Sequence, residues 1–128
     1  MEQKSASMQI IDQTQYAIIH FTGYLEYGLI ESLKKELQDN VLLANKHCII
    51  NTTHVKNVDS TGFGMMVNLA KKVALQQKKV AIIIVDDFIQ KLFTISQCDK
   101  VFPIVTSEEE AIAILQQTYQ AELSLDEY

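Results

Sequence analysis

Arginine is absent from this 128-residue chain, because all 11 basic residues are lysines. Without a planar guanidinium there is no bidentate grip on phosphate or on guanine, and the formal net charge of −5 works against a polyanionic partner. The pairs Lys34-Lys35, Lys71-Lys72 and Lys78-Lys79 are scattered over presumed helix faces and ends, where solvated surface explains them. Nucleic acid is therefore disfavoured as a partner. Cysteine is scarce too: Cys48 and Cys98 lie in or beside apolar segments and form no CxxC pair, so neither a disulfide framework nor a cysteine-based metal site is suggested, and a reducing, cytoplasmic setting is expected. No apolar run approaches the roughly 20 residues that span a bilayer. The polar stretch from Met1 to Ser7 does not resemble a signal peptide.

What the chain does have is the composition of an ordinary soluble domain, 48% hydrophobic and 21% charged, with length enough for one core. Met8 to Asp12 and Gln15 to Thr22 read as an opening hairpin, the second strand alternating Tyr16, Ile18, His20 against Ala17, Ile19, Phe21. Leu29, Ile30, Leu33, Leu37 and Val41 recur at helical intervals. His47 to Asn51 reads as a short central strand, followed through a short loop by a long helix from Ser60 whose stripe is Phe63, Met66, Val67, Ala70, Val73 and Ala74. Val80 to Val85 is an unbroken apolar run, as expected of a strand covered on both faces. Asp86 or Asp87 can cap a short helix carrying Ile89, Leu92, Phe93 and Ile95, and Val101 to Val105 gives a last strand that Pro103 confines to an edge. Ser107 and Glu110 make a capping box before the terminal helix of Ala111, Ile112, Leu115 and Tyr119. Strand and helix alternate, so the fold is α/β with mostly parallel strands joined by right-handed crossovers. Residues 1–120 are expected to form one domain and residues 121–128 an acidic, mobile tail.

Function should be sought at Asp59-Ser60-Thr61-Gly62-Phe63-Gly64, at the carboxyl end of a central strand and the start of a helix. Sites gather at such ends, and a helix start offers unpaired N–H donors and partial positive charge. The plain reading is that Ser60 or Thr61 caps the helix. The segment fails as a P-loop, which needs G-x-x-x-x-G-K-[ST], and carries half of the G-x-S-x-G nucleophile elbow. Nor does it match an aspartic-protease loop. His20, His47 and His54 lack H-x-x-x-H spacing, so no metal site, no cofactor and no catalytic residue is expected. No base is visible to activate Ser60, so its hydroxyl is better placed to be acted upon than to act.

Val58 to Gly64 resembles the D-S-[ST]-G-[LF]-G signature of STAS domains of the bacterial anti-sigma-factor antagonist type. The similarity runs over about residues 8 to 119: Thr22-Gly23-Tyr24-Leu25-Glu26 is similar to the family's G-x-L-D segment, Leu92-Phe93-Thr94-Ile95-Ser96 to its L-F-x-[IL]-[ST] helix, and Ser107-Glu108-Glu109-Glu110-Ala111 to the acidic start of its final helix. The resemblance implies a mixed, mostly parallel sheet of about five strands with an antiparallel hairpin at its start and about four helices packed on it. It implies no enzyme but a phosphorylation-controlled binding module. Ser60 would be the phosphoacceptor. The partners implied are an anti-sigma factor that is also a serine kinase, bound by the unphosphorylated form so that a sigma factor is freed, and a serine phosphatase that reverses the switch. Contact candidates are Glu26, His54, Asp59, Ser60, Thr61, Gly62, Phe63 and Met65, the last read as an exposed thioether off the main apolar stripe. Departures from the family pattern are Glu26 in place of aspartate, His54 in place of an acidic residue and Gln97 in place of glycine. Alternatives within the fold are a scaffold subunit of a signalling assembly or an accessory subunit of a lipid transporter; from another class, a small hydrolase or nucleotide-binding protein. A weak homodimer is left open.

Overall fold

The opening hairpin forms from Ala6–Asp12 (β1) and Tyr16–Leu25 (β2), paired antiparallel from Ala6 opposite Gly23 to Asp12 opposite Ala17. The computed structural model describes residues 3–40 and 45–126, with side chains described as far as Gln117. Val41 and the side chain of Tyr119, both expected on helix faces, lie outside the described residues. After β2 the chain runs through helix α1 (Glu31–Asp39), strand β3 (His47–Val58), helix α2 (Ser60–Leu75), strand β4 (Val80–Ile83), helix α3 (Asp87–Ile95), a 3-10 turn at Cys98–Lys100, strand β5 (Ile104–Val105) and helix α4 (Glu108–Asp126). The five strands lie in sequential order, β2 to β5 parallel to one another. This is the expected mixed sheet with four helices.

Side-chain alternation sends each strand's residues to two cores. Ala17, Ile19, Phe21, Cys48, Ile50 and Ile82 pack with Leu33, Leu37, Met66, Ala70, Val73, Ile89 and Phe93, so α1, α2 and α3 share one face. On the other face Ile18, Ile49, Ala81, Ile83 and Val105 meet Ala111 and Leu115 of α4. β4 is buried at every position, which is why it reads as an unbroken apolar run.

Several boundaries differ from the sequence reading. β1 begins at Ala6 rather than Met8, β2 starts at Tyr16 and runs to Leu25 rather than Thr22, and β4 ends at Ile83 with Val85 exposed beyond it. β3 does not stop at Asn51 but continues to Val58, and no loop separates it from α2; Asp59 alone intervenes. The extra half is polar because it pairs only with β2, Tyr24 opposite Asn57 and Leu25 opposite Val58, whereas β4 ends opposite Asn51. Two register shifts in the β2 pairing, between His20 and Thr22 and between Gly23 and Tyr24, also break the alternation that sequence patterns rely on. The last strand shortens to Ile104–Val105, with Val101 exposed in the preceding turn. The backbone of α4 continues to Asp126, past the expected start of the tail.

Caps fall where short-range chemistry puts them. Asp86 accepts from the N–H of Ile89 at 3.0 Å, and Ser107 Oγ accepts from the N–H of Glu110 at 3.2 Å. His47 is structural: buried, with Nδ1 accepting from the N–H of Lys79 at 2.8 Å. His20 Nε2 lies 3.1 Å from Glu108, which also accepts from Asn51 Nδ2 at 3.1 Å, tying the start of α4 to the sheet. Among the described residues no helix is long and apolar enough to cross a membrane.

Candidate functional site

The start of α2 is fastened by one carboxylate. Asp59 stands in extended backbone as the helix cap, its Oδ1 accepting from the N–H of Gly62 at 2.9 Å. Its other oxygen, Oδ2, accepts from the N–H of Tyr27 at 2.8 Å, 32 residues away in the segment between β2 and α1. The N–H of Asp59 itself donates to the carbonyl of Leu25 at 3.2 Å. The N–H groups of Tyr27 and then Gly62, with a smaller share from Thr61, hold the Asp59 carboxyl below the ordinary carboxylate range, against slight desolvation. Capping therefore belongs to Asp59, not to Ser60 or Thr61 as the plain reading had it. A carboxylate reaches an N3 donor as well as a hydroxyl does and adds the favourable charge.

Ser60 is thereby released. It is the first helical residue and is exposed. Its side chain has no internal partner among the described residues. Thr61 is half-exposed beside it.

Gly62 explains the glycine of the motif. A Cβ built there would sit 1.9 Å from the carbonyl oxygen of Leu25, a contact no side chain survives, so the helix start can approach the end of β2 only if this residue is glycine. Gly64 meets nothing within 4 Å. Phe63 is half-buried against α3, its ring edge-to-face with Phe93 at 5.0 Å between centroids and 77° between planes.

Of the eight contact candidates, Asp59 to Phe63 are contiguous, and the pairing of β2 with β3 brings Glu26 to the same rim. Glu26 Oε2 accepts from Asn57 Nδ2 at 2.7 Å, with Lys4 Nζ 3.7 Å from its other oxygen. His54 is exposed farther back on β3, opposite Thr22. Met65 is a correction: it is only 5% exposed and packs in the main core at the cleft between α1 and α2, because its position on α2 faces α1 as well as the sheet. Gly62 is buried too. Sequence reasoning missed Tyr27, 79% exposed with its backbone held by Asp59. Its only signal was an aromatic ring in a turn segment that gives it nothing to pack on.

The arrangement is poor for catalysis. Asp59, the carboxylate adjacent to Ser60, has both oxygens committed to N–H donors and a lowered proton affinity, so it makes a weak general base. Among the described residues no group of three His, Cys, Asp or Glu could hold a metal ion.

The STAS domain family model matches residues 5–111, from before β1 into the first turn of α4. The chain belongs to the STAS domain family. Solved members have the same fold. An anti-sigma factor antagonist from Mycobacterium paratuberculosis superposes with a TM-score of 0.77 at 13% identity, covering 88% of this chain and 95% of that one. RsbS from Moorella thermoacetica, solved with a serine replaced by glutamate, gives 0.74 at 14% identity over 88% and 97%. The Bacillus cell fate determinant SpoIIAA in its phosphorylated form gives 0.66 at 18% identity over 84% and 97%. At these identities the likeness is one of fold. Within this STAS domain, Gly62 is a packing requirement and Asp59 a clamp, while Ser60 has neither duty.

Proposed function

We propose that this STAS domain is a phosphorylation-controlled binding module. Unphosphorylated, it binds an anti-sigma factor that is also a serine kinase and so frees a sigma factor; phosphorylation of Ser60 breaks the complex, and a serine phosphatase restores it. The observation that carries the reading is that Ser60 is exposed at the first position of α2 while Asp59 does the capping. A modified hydroxyl there costs the domain no structural bond. The family supports it, as do solved relatives described as anti-sigma factor antagonists, among them SpoIIAA in both unphosphorylated and phosphorylated forms.

The phosphate would add about −1.5 to −2 charges. It stands beside the Asp59 carboxylate, which repels it, and at the positive end of a 16-residue helix, which favours it. These effects oppose each other, so the free domain changes little. A partner covering the rim of Tyr27, Asp59, Ser60 and Thr61 meets a dianion that must be desolvated, costing about 3 kcal/mol, or roughly a hundredfold in affinity.

The test uses an anti-sigma factor kinase from the same genome with ATP. One phosphoryl group should be incorporated, at Ser60, and none into Ser60→Ala. Ser60→Asp should bind the kinase about a hundredfold more weakly, as read by calorimetry. Ser60→Asp binding as tightly as the unmodified chain would defeat the charge switch, and incorporation at Thr61 alone would move the acceptor.

A further inference from the structure

The two edges of the sheet are unlike. β5 is two residues long with Pro103 just before it, so that edge offers little to pair with. β1 is seven residues long, and Ser5 to Ile11 contains neither charge nor proline. Its pairing with β2 runs without a register shift. Between Ser5 and Ile11, therefore, no charge, proline or register shift blunts the edge, and charge enters only at its two ends, Lys4 and Asp12.

The phase of the ladder shows which backbone groups stand open. The N–H of Tyr24 donates to the carbonyl of Ser5 at 2.9 Å, and the N–H of Gln13 to the carbonyl of Tyr16 at 2.9 Å. Hydrogen-bonded and non-bonded pairs alternate along an antiparallel ladder. Odd-numbered residues of β1 therefore turn their backbone groups to β2, and Ala6, Met8 and Ile10 turn theirs outward. The side chains of these same three residues are only partly buried at the margin of the main core.

We infer that β1 is a self-association edge, at which two copies pair antiparallel, centred on Met8 opposite Met8, and join two five-stranded sheets into one. Outward groups are satisfied only when even-numbered residues face even-numbered ones. Of those registers, the one centred on Met8 also sets Lys4 opposite Asp12 of the second copy at both ends, and Ala6 opposite Ile10. Lys4 already lies 3.7 Å from Glu26, and Asp12 is bound by Lys46, so the seam carries the alternating series Glu26, Lys4, Asp12, Lys46. A strand neutral in its middle, cationic at one end and anionic at the other is its own antiparallel complement. That identifies the occupant as a second copy, and the inference does not depend on the role of Ser60.

The full chain is tested by sedimentation equilibrium into the millimolar range, with cross-linking in a Cys98→Ser background to leave the buried Cys48 as the remaining native thiol. Directly opposed residues of a bonded pair have Cα atoms about 5.5 Å apart, inside the disulfide window of about 4.4–6.8 Å. Met8→Cys should cross-link to itself, Ile10→Cys should not, and Ile10→Cys mixed with Ala6→Cys should. Lys4→Glu should weaken the dimer roughly tenfold by opposing like charges at two symmetric positions, and Lys4→Glu with Asp12→Lys should restore it, circular dichroism confirming folding throughout. A chain monomeric at every concentration overturns the inference. So does a dimer in which Met8→Cys fails to cross-link or Ile10→Cys links equally well.

Discussion

One methyl group added at Gly62 should unseat the start of α2, whereas the same group at Gly64, in the same first turns of the helix, should not. The Cβ of Gly62→Ala would lie 1.9 Å from the Leu25 carbonyl oxygen, 2.7 Å from its carbon and 2.8 Å from its Cβ. An ordinary contact is about 3.4 Å, so something must move by about 1.5 Å. The obstacle is backbone, and it cannot rotate away: the Leu25 carbonyl already accepts from Asp59, and Leu25 is paired with Val58. The helix must lift instead, straining the Asp59 bonds to Gly62 and Tyr27. Overpacking of this kind costs about 1–3 kcal/mol, and a rigid obstacle puts it near about 3. Alanine in a helix interior returns about 1 kcal/mol over glycine, leaving Gly62→Ala destabilised by about 2 kcal/mol. Gly64→Ala meets nothing within 4 Å and keeps the propensity gain, about 0.5–1 kcal/mol. In urea, followed by far-UV circular dichroism, the first midpoint should fall by about 1 M and the second rise by a few tenths, with slopes unchanged. Equal shifts in the two variants, or Gly62→Ala at parental stability, would refute the close-approach argument.

Other perturbations test other contacts. The Asp59 carboxyl titrates lower in the fold than in the unfolded chain, so its contribution is present above the ordinary carboxylate range and is lost as pH falls through the folded value; acid unfolding profiles of the parent and Asp59→Ala should diverge above about pH 4 and converge below it. Burial pushes the Cys48 thiol up from 9.0 to about 12, so the native state keeps a proton the unfolded chain gives up, and stability should decline as pH rises from 9 toward 12; Cys48→Ala should remove that slope. Under native conditions a thiol reagent should modify Cys98 and leave Cys48 unreacted until urea is added. Gln97 sits in left-handed backbone at φ 63°, where an L side chain costs about 1–2 kcal/mol; Gln97→Gly should therefore raise stability by about 0.5–1 kcal/mol after the unfolded-state entropy of glycine is counted, and a fall in the urea midpoint would contradict this.

Much of the fold was legible because its signals are local. The amphipathic periods of α1 and α3, the unbroken run of β4, the aspartate before Ile89 and the Ser107 cap each act within a few residues. The second half of β3 was not legible, because Thr53, His54, Lys56 and Asn57 are exposed, and what makes the segment strand is the pairing of His54, Val55, Asn57 and Val58 with β2 across two register shifts. Met65 was misread for the same kind of reason. A helix with neighbours on two sides buries more than one stripe, and the position of α1 against α2 is not written in the spacing of α2 alone.

At the candidate site the division is the same. The sequence by itself determined that a hydroxyl-rich, glycine-containing helix start lies at the end of a central strand, that it lacks the residues of a phosphate cradle or nucleophile elbow, and that Ser60 follows an aspartate. Only the tertiary structure decided that Asp59, not Ser60, is the cap, that Gly62 must be glycine and that the backbone of Tyr27 is held by Asp59 at the helix start. The reason is that each of these depends on the end of β2 meeting the start of α2, a contact between segments more than 30 residues apart, set by the register of β2 on β3.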